Sequence, residues 1–68
     1  MNLTPAMEDY LEAVLIVAKE QVEVRSVDIA RQLNVSKPSV WRAMTVLKDG
    51  GFLTMDDHSF LLLTDLGQ

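Results

Sequence analysis

At 68 residues and with no cysteine, the chain has room for one small domain, with neither disulfide staples nor a thiolate metal site. A domain of this length buries only about 60% of its unfolded surface, so its core is marginal. The formal charge of −4 at pH 7, taken as a bulk figure, counts against a polyanionic partner. The apolar run over residues 14–18 follows acids rather than a basic flank, unlike a signal peptide. It also falls far short of the roughly 20 residues that span a bilayer, so no membrane partner is expected. The absence of cysteine suits a reducing cytosol, and a cytoplasmic location is expected.

In chain order, residues 1–3 are expected to fray. Thr4 and Pro5 read as a helix start, with Thr4 as cap and Pro5 at the first helical position. The helix runs to about Glu20, and Glu8, Asp9 and Glu12 lie near its positive end. Met7, Leu11, Val14 and Ala18 line one face, widened by Tyr10 and Val17. Leu15 and Ile16 spill outside it, which points either to a second apolar partner or to ordinary surface apolarity. Residues 22–25 form a short β-branched run that reads as a strand at the base of a hairpin.

The stretch over residues 27–47 holds two helix-period patterns separated only by Asn34, Val35 and Ser36. Ile29, Ala30 and Leu33 mark the buried face of the first; Val40, Met44 and Leu47, with Ala43 beside them, mark that of the second. Ser26 and Ser36 are the expected caps, Pro38 suits a first turn, and Asn34 sits where a left-handed residue closes a helix. Two short helices joined this way make a helix-turn-helix. Gly50 and Gly51 stop the second helix. Two strand-like runs then follow, residues 52–55 and 60–63, around the polar turn Asp56, Asp57, His58 and Ser59. The order implies a mainly α domain with a small β-hairpin wing, a winged helix-turn-helix occupying residues 1–68. Thr64 to Gln68 has the capping look of one more helix start.

The charge is unevenly placed. Residues 24–48 carry Arg25, Arg31, Lys37, Arg42 and Lys48 against Asp28 alone, a local balance of +4, while the remainder carries Lys19 against nine acids. Local sign decides what meets a phosphate backbone, so double-stranded DNA is the expected partner. Five basic residues are few, and one copy should bind weakly. The second helix should present Lys37, Ser39, Trp41, Arg42 and Thr45 to solvent. Ser36 and Lys37 at its mouth suit phosphates, aided by backbone N–H groups. Pro38 and Ser39 can lie against thymine methyls, and Arg42 can fork onto guanine. Trp41 can pack on sugar or thymine, sit in a protein contact, or fold against Tyr10 and the wing. Arg25 completes the candidate DNA-binding set.

The run Met7-Glu8-Asp9-Tyr10-Leu11-Glu12, then Val27-Asp28-Ile29-Ala30, then Val35-Ser36-Lys37-Pro38-Ser39-Val40, resembles the metal-dependent repressors of the diphtheria-toxin-repressor and manganese-transport-regulator type. The ending Leu63-Thr64-x-x-Gly67 agrees with it. The resemblance covers essentially the whole chain but only the amino-terminal DNA-binding domain of such a repressor. It implies that a second, dimerisation domain completes the regulator and that this chain is its N-terminal part. It also implies that Pro38, Ser39 and Arg42 hold the base-reading positions, Arg42 replacing a shorter polar residue and Trp41 a small polar one. The acidic wing tip departs from relatives that carry lysine or arginine there, and little affinity is expected from it.

Asp9 and Glu12, with i, i+3 spacing, share one helix face and are the candidate metal residues. Without the resemblance they read as dipole partners of the first turn. With it they correspond to first-helix ligands for Mn²⁺ or Fe²⁺ in a full-length regulator. The aspartate at Asp9 matches the manganese type, and the remaining ligands belong to the second domain. Tight metal binding by this chain alone is therefore not expected. Catalysis has no nucleophile–base pair to work with, and His58 is a lone histidine in a polar turn, so an enzyme is not expected. The rival reading is a protein association module built on Leu15, Ile16, Trp41 and the acidic balance. A weak homodimer through the first helix is a further expectation.

Overall fold

A computed structural model describes residues 3–67. Helix α1 (Pro5–Glu20) is followed by α2 (Ser26–Leu33), α3 (Lys37–Asp49), β1 (Leu53–Met55), β2 (Leu61–Leu63) and a single 3-10 turn, Asp65–Gly67. The strands form a two-stranded antiparallel hairpin with Leu53 opposite Leu63, Thr54 opposite Leu62 and Met55 opposite Leu61. Each of α1, α2 and α3 packs on the other two, and β1 packs on α3. This is the winged helix-turn-helix order. Of the residues expected to fray, Met1 and Asn2 lie outside the described residues, whereas Leu3 is half-buried and packed on the core.

The core is wholly apolar. Val14 and Val17 of α1, Ile29 of α2, Val40, Met44 and Leu47 of α3, and Leu53 and Leu61 of the wing are all buried. The stripe on α1 is rotated from the expected one: Ala13 is buried and Ala18 is exposed. Tyr10, Ala13, Val14 and Val17 follow the i, i+3, i+4, i+7 rule of one face, and Ala18 lies a full 100° step beyond Val17. Leu15 and Ile16 are half-buried, so the apolar spill beyond the stripe is smaller than the sequence suggests.

Turn chemistry explains where the helices begin and end. Thr4 Oγ1 accepts from the N–H of Met7 at 3.2 Å, and Ser36 Oγ from that of Ser39 at 3.4 Å, as expected of caps. For α2 the cap moves back one residue. Arg25, not Ser26, takes that place, and Ser26 is the first helical residue. Arg25 contributes only its backbone, since a guanidinium has no acceptor; its N–H donates to the Asp28 carboxylate at 2.9 Å. Both helices of the helix-turn-helix close alike. Asn34 adopts φ 54°, and the N–H of Val35 reaches back to the Ala30 carbonyl at 3.1 Å. Gly51 adopts φ 82°, and the N–H of Phe52 reaches back to the Leu47 carbonyl at 2.9 Å.

Residues 22–25 form no strand, and the chain bends at Val22. Val22 is 98% exposed, and the segment meets the hairpin through Leu61, whose N–H donates to the Val24 carbonyl at 2.7 Å. The five residues between the two helices are too few to turn and also run a ladder. At the other end, the Thr64 hydroxyl donates to the Gly51 carbonyl, pinning the end of the wing to the turn after α3. The expected helix start at Thr64 amounts to the 3-10 turn, and Gln68 lies outside the described residues.

The two left-handed positions differ in what they tolerate. Gly51→Ala should cost about 1–2 kcal/mol, the penalty of a side chain in that region. Asn34→Gly should leave stability unchanged or raise it slightly. Urea unfolding midpoints of the two variants check both signs.

Candidate nucleic-acid interface

Helix α3 divides sharply. Val40, Ala43, Met44 and Leu47 are buried to 1% exposure or less, which fixes the rotation of the helix about its axis. Lys37, Pro38, Ser39, Trp41, Arg42 and Thr45 are all exposed, as are Ser36 at the cap and Arg25 before α2. The eight residues expected from sequence therefore all reach solvent. They fall into two groups: the α3 face, and Arg25 with Trp41 on a groove beside it.

At the mouth of α3, Ser36 and Ser39 share a hydroxyl–hydroxyl hydrogen bond of 2.8 Å while Ser36 also caps the Ser39 N–H. Pro38 has no N–H to give. Lys37 thus supplies the mouth with both its charge and its first-turn N–H, and backbone help for an anion is narrower than the sequence suggests. The Thr45 hydroxyl donates back to the Trp41 carbonyl at 2.9 Å, so it offers a partner its methyl and an acceptor, not a donor. Arg31 is drawn to Asp28 at 3.8 Å. Among the described residues no such pair involves Lys37, Arg42 or Lys48, so their charge is uncompensated.

Trp41 is 52% exposed and lines an open groove of 430 Å³ with Arg25, Ser26, Val27, His58 and Ser59. It therefore faces the tip of the wing across a gap. The tip is ordered by Asp56, whose carboxylate accepts from the N–H groups of His58 and Phe60 at 2.9 and 3.0 Å. One of the two tip acids is thus turned onto the backbone; Asp57 is exposed. Sequence reasoning missed Phe60, over whose ring the Arg25 guanidinium lies at 4.7 Å from the centroid. A pair 35 positions apart leaves no local pattern, and only the return of the hairpin brings it together.

Asp9 and Glu12 line a separate hollow of 200 Å³ between α1 and the end of α2, with Ala13, Ile16, Gln32 and Leu33. Two carboxylates suit a hard or borderline cation, yet among the described residues no group of three or more metal-binding side chains converges. They fit as part of a ligand set. Trp41 and Ile16 line different hollows, so the apolar residues of the rival association surface are not gathered in one place.

Residues 2–59 match the iron-dependent repressor family over what is described as its N-terminal DNA-binding domain. The chain belongs to that family. It is 35% identical over 65 residues to the HTH-type transcriptional regulator MntR of Geobacillus thermodenitrificans, a match covering 96% of this chain and 46% of that one. It is 36% identical over 64 residues to the MntR of Shouchella clausii, covering 94% and 45%. Among solved structures, the fold is similar to a transcriptional regulator from Thermotoga maritima, with a TM-score of 0.73 and 29% identity over 94% of this chain and 45% of that one. The chain spans about half the length of the curated relatives it matches. These relatives are regulators of transcription, and no helix among the described residues is long and apolar enough to cross a membrane.

Proposed function

We propose that this domain reads duplex DNA through the major groove with the exposed side of residues 37–48, as one half of a symmetric dimer on a palindromic site. The observation that carries the reading is the locked rotation of α3: its inner face is sealed in the core, and its outer face bears uncompensated cations. Lys37 takes a phosphate at the helix mouth, Arg42 forks onto a guanine, and Pro38, Ser39 and the Thr45 methyl make apolar and short polar contacts with base edges. Trp41 packs on the sugar or a thymine at the edge of the groove.

Metal control belongs to the same reading. Asp9 and Glu12 would hold part of the coordination shell of Mn²⁺ or Fe²⁺ in a full-length regulator, with further ligands from a second domain. A cation held there would tie α1 electrostatically to the second domain. Within this chain the two carboxylates lie one helical turn apart on the wall of a hollow lined by residues of α1 and α2, which supports a metal site apart from the exposed face of α3. Location in the cytoplasm, where DNA and reduced divalent cations meet, is part of the proposal.

Arg42→Ala should weaken binding to the preferred duplex by about 1–3 kcal/mol and relax preference at one base position. Lys37→Ala should weaken all duplexes alike. Binding by a panel of duplexes checks both, and equal loss on every duplex for Arg42→Ala removes its base-reading role.

The isolated chain should bind Mn²⁺ only weakly, because two carboxylates leave most of the shell to water. Calorimetric titration that shows micromolar or tighter affinity contradicts this.

The half-buried Leu15 and Ile16 support a weak homodimer through α1, opposed by Glu8, Asp9, Glu12 and Glu20 on facing copies. Added salt screens that repulsion and should strengthen association. Sedimentation should show Ile16→Glu to be monomeric and folded, and a wild-type chain that stays monomeric at high concentration in high salt excludes the dimer.

A further inference from the structure

The wing tip carries Asp56 and Asp57, and by charge alone it would be a poor neighbour for a phosphate backbone. The structure nevertheless puts a cation beside it. The Arg25 guanidinium carbon lies 4.7 Å from the centroid of the Phe60 ring. Both partners are held from their main chains. The Arg25 N–H is fixed by Asp28 at 2.9 Å, and the adjoining Val24 carbonyl accepts from Leu61 at 2.7 Å. The Phe60 N–H donates to Asp56 Oδ1 at 3.0 Å, and its carbonyl accepts from the Asp56 N–H at 3.1 Å. Two tied segments therefore present ring and guanidinium to each other.

Stacking restrains a long side chain that would otherwise sample many rotamers on an open surface. A guanidinium held over a ring keeps N–H donors for a further partner, and its planar fork suits a phosphate. Among the described residues no carboxylate pairs with the Arg25 guanidinium within 4.0 Å. The side chain opens onto the groove between the start of α2, Trp41 and the wing tip.

We propose that Phe60 is a positioning residue, which holds the Arg25 guanidinium at the groove between α3 and the wing so that it takes one phosphate of duplex DNA. The wing then acts through its aromatic ring rather than through charge at its tip. This inference rests on the DNA-reading function proposed above. It adds a phosphate contact outside α3 and names the residue that aims it.

The test uses the 68-residue chain and random-sequence duplex DNA, because a phosphate contact carries no sequence preference. Affinity is measured across a range of salt concentrations. Arg25→Ala should bind about tenfold more weakly at low salt, with a log–log salt slope shallower by about one. Phe60→Leu should bind roughly two- to fivefold more weakly, the size of an exposed cation–π contact, and Phe60→Tyr should match the wild type. The double variant Arg25→Ala with Phe60→Leu should be no weaker than Arg25→Ala alone. Arg25→Lys, which leaves the wing untouched, should keep the slope and lose the same two- to fivefold. In the free protein, Arg25 side-chain protons should show an upfield ring-current shift that Phe60→Leu abolishes and Phe60→Tyr preserves. Additive losses, an unchanged slope in Arg25→Ala, or a wild-type chain without the ring-current shift overturns the positioning role while DNA reading stands. A wild-type chain with no salt-dependent affinity for duplex overturns the DNA-reading function and this inference with it.

Discussion

Burial of Val40, Ala43, Met44 and Leu47 is the constraint on which the rest of the domain depends. Each large side chain removed from water contributes on the order of 1.5–3 kcal/mol, and in a chain of 68 residues few other sources of that size exist. Turning α3 by even one residue would expose Met44 or Leu47 and bury Arg42 or Trp41. The burial that stabilises the fold therefore also orients the exposed, cationic face of α3.

The joints around α3 serve that orientation. Asn34 and Gly51 take left-handed backbone at its two flanks, each followed by an N–H that reaches back to a carbonyl of the preceding helix. Short connections of this kind leave little freedom in the angle between α2 and α3. Asp28 works at the other end of α2: its carboxylate accepts from the Arg25 N–H and from the Gln21 side chain, and attracts Arg31. It is the one acid in the basic stretch, and it is occupied in starting a helix rather than facing a partner. The remaining acids lie outside that stretch, which lets a chain of net charge −4 carry a cationic face.

The wing shows how an unfavourable local charge can coexist with a useful position. Asp56 turns its carboxylate onto the His58 and Phe60 N–H groups and so builds the loop. That loop delivers Phe60 to Arg25. Asp9 and Glu12 occupy a different hollow, on the side where α1 meets the end of α2, so the cationic and acidic sites do not compete for one surface.

Much of this was legible in the residues themselves. Periodicity marked the inner face of α3, because a helix repeats every 3.6 residues whatever it packs against. Capping and turn chemistry marked Thr4, Ser36, Asn34 and the glycine stop, because those signals act over three or four residues. The paired strand-like, apolar runs around Asp56–Ser59 marked the hairpin for the same reason. Tertiary structure decided what depends on distant neighbours. It rotated the α1 stripe to Ala13 and away from Ala18, since two other helices choose which side of the continuously apolar stretch 13–18 is covered. It moved the α2 cap to Arg25, whose N–H donates to the Asp28 carboxylate three residues on. It reduced the expected strand at residues 22–25 to the Leu61–Val24 bond seen there. Above all it joined Arg25 to Phe60 and set Trp41 opposite the wing tip, contacts between residues far apart in the chain that exist only once the hairpin has folded back.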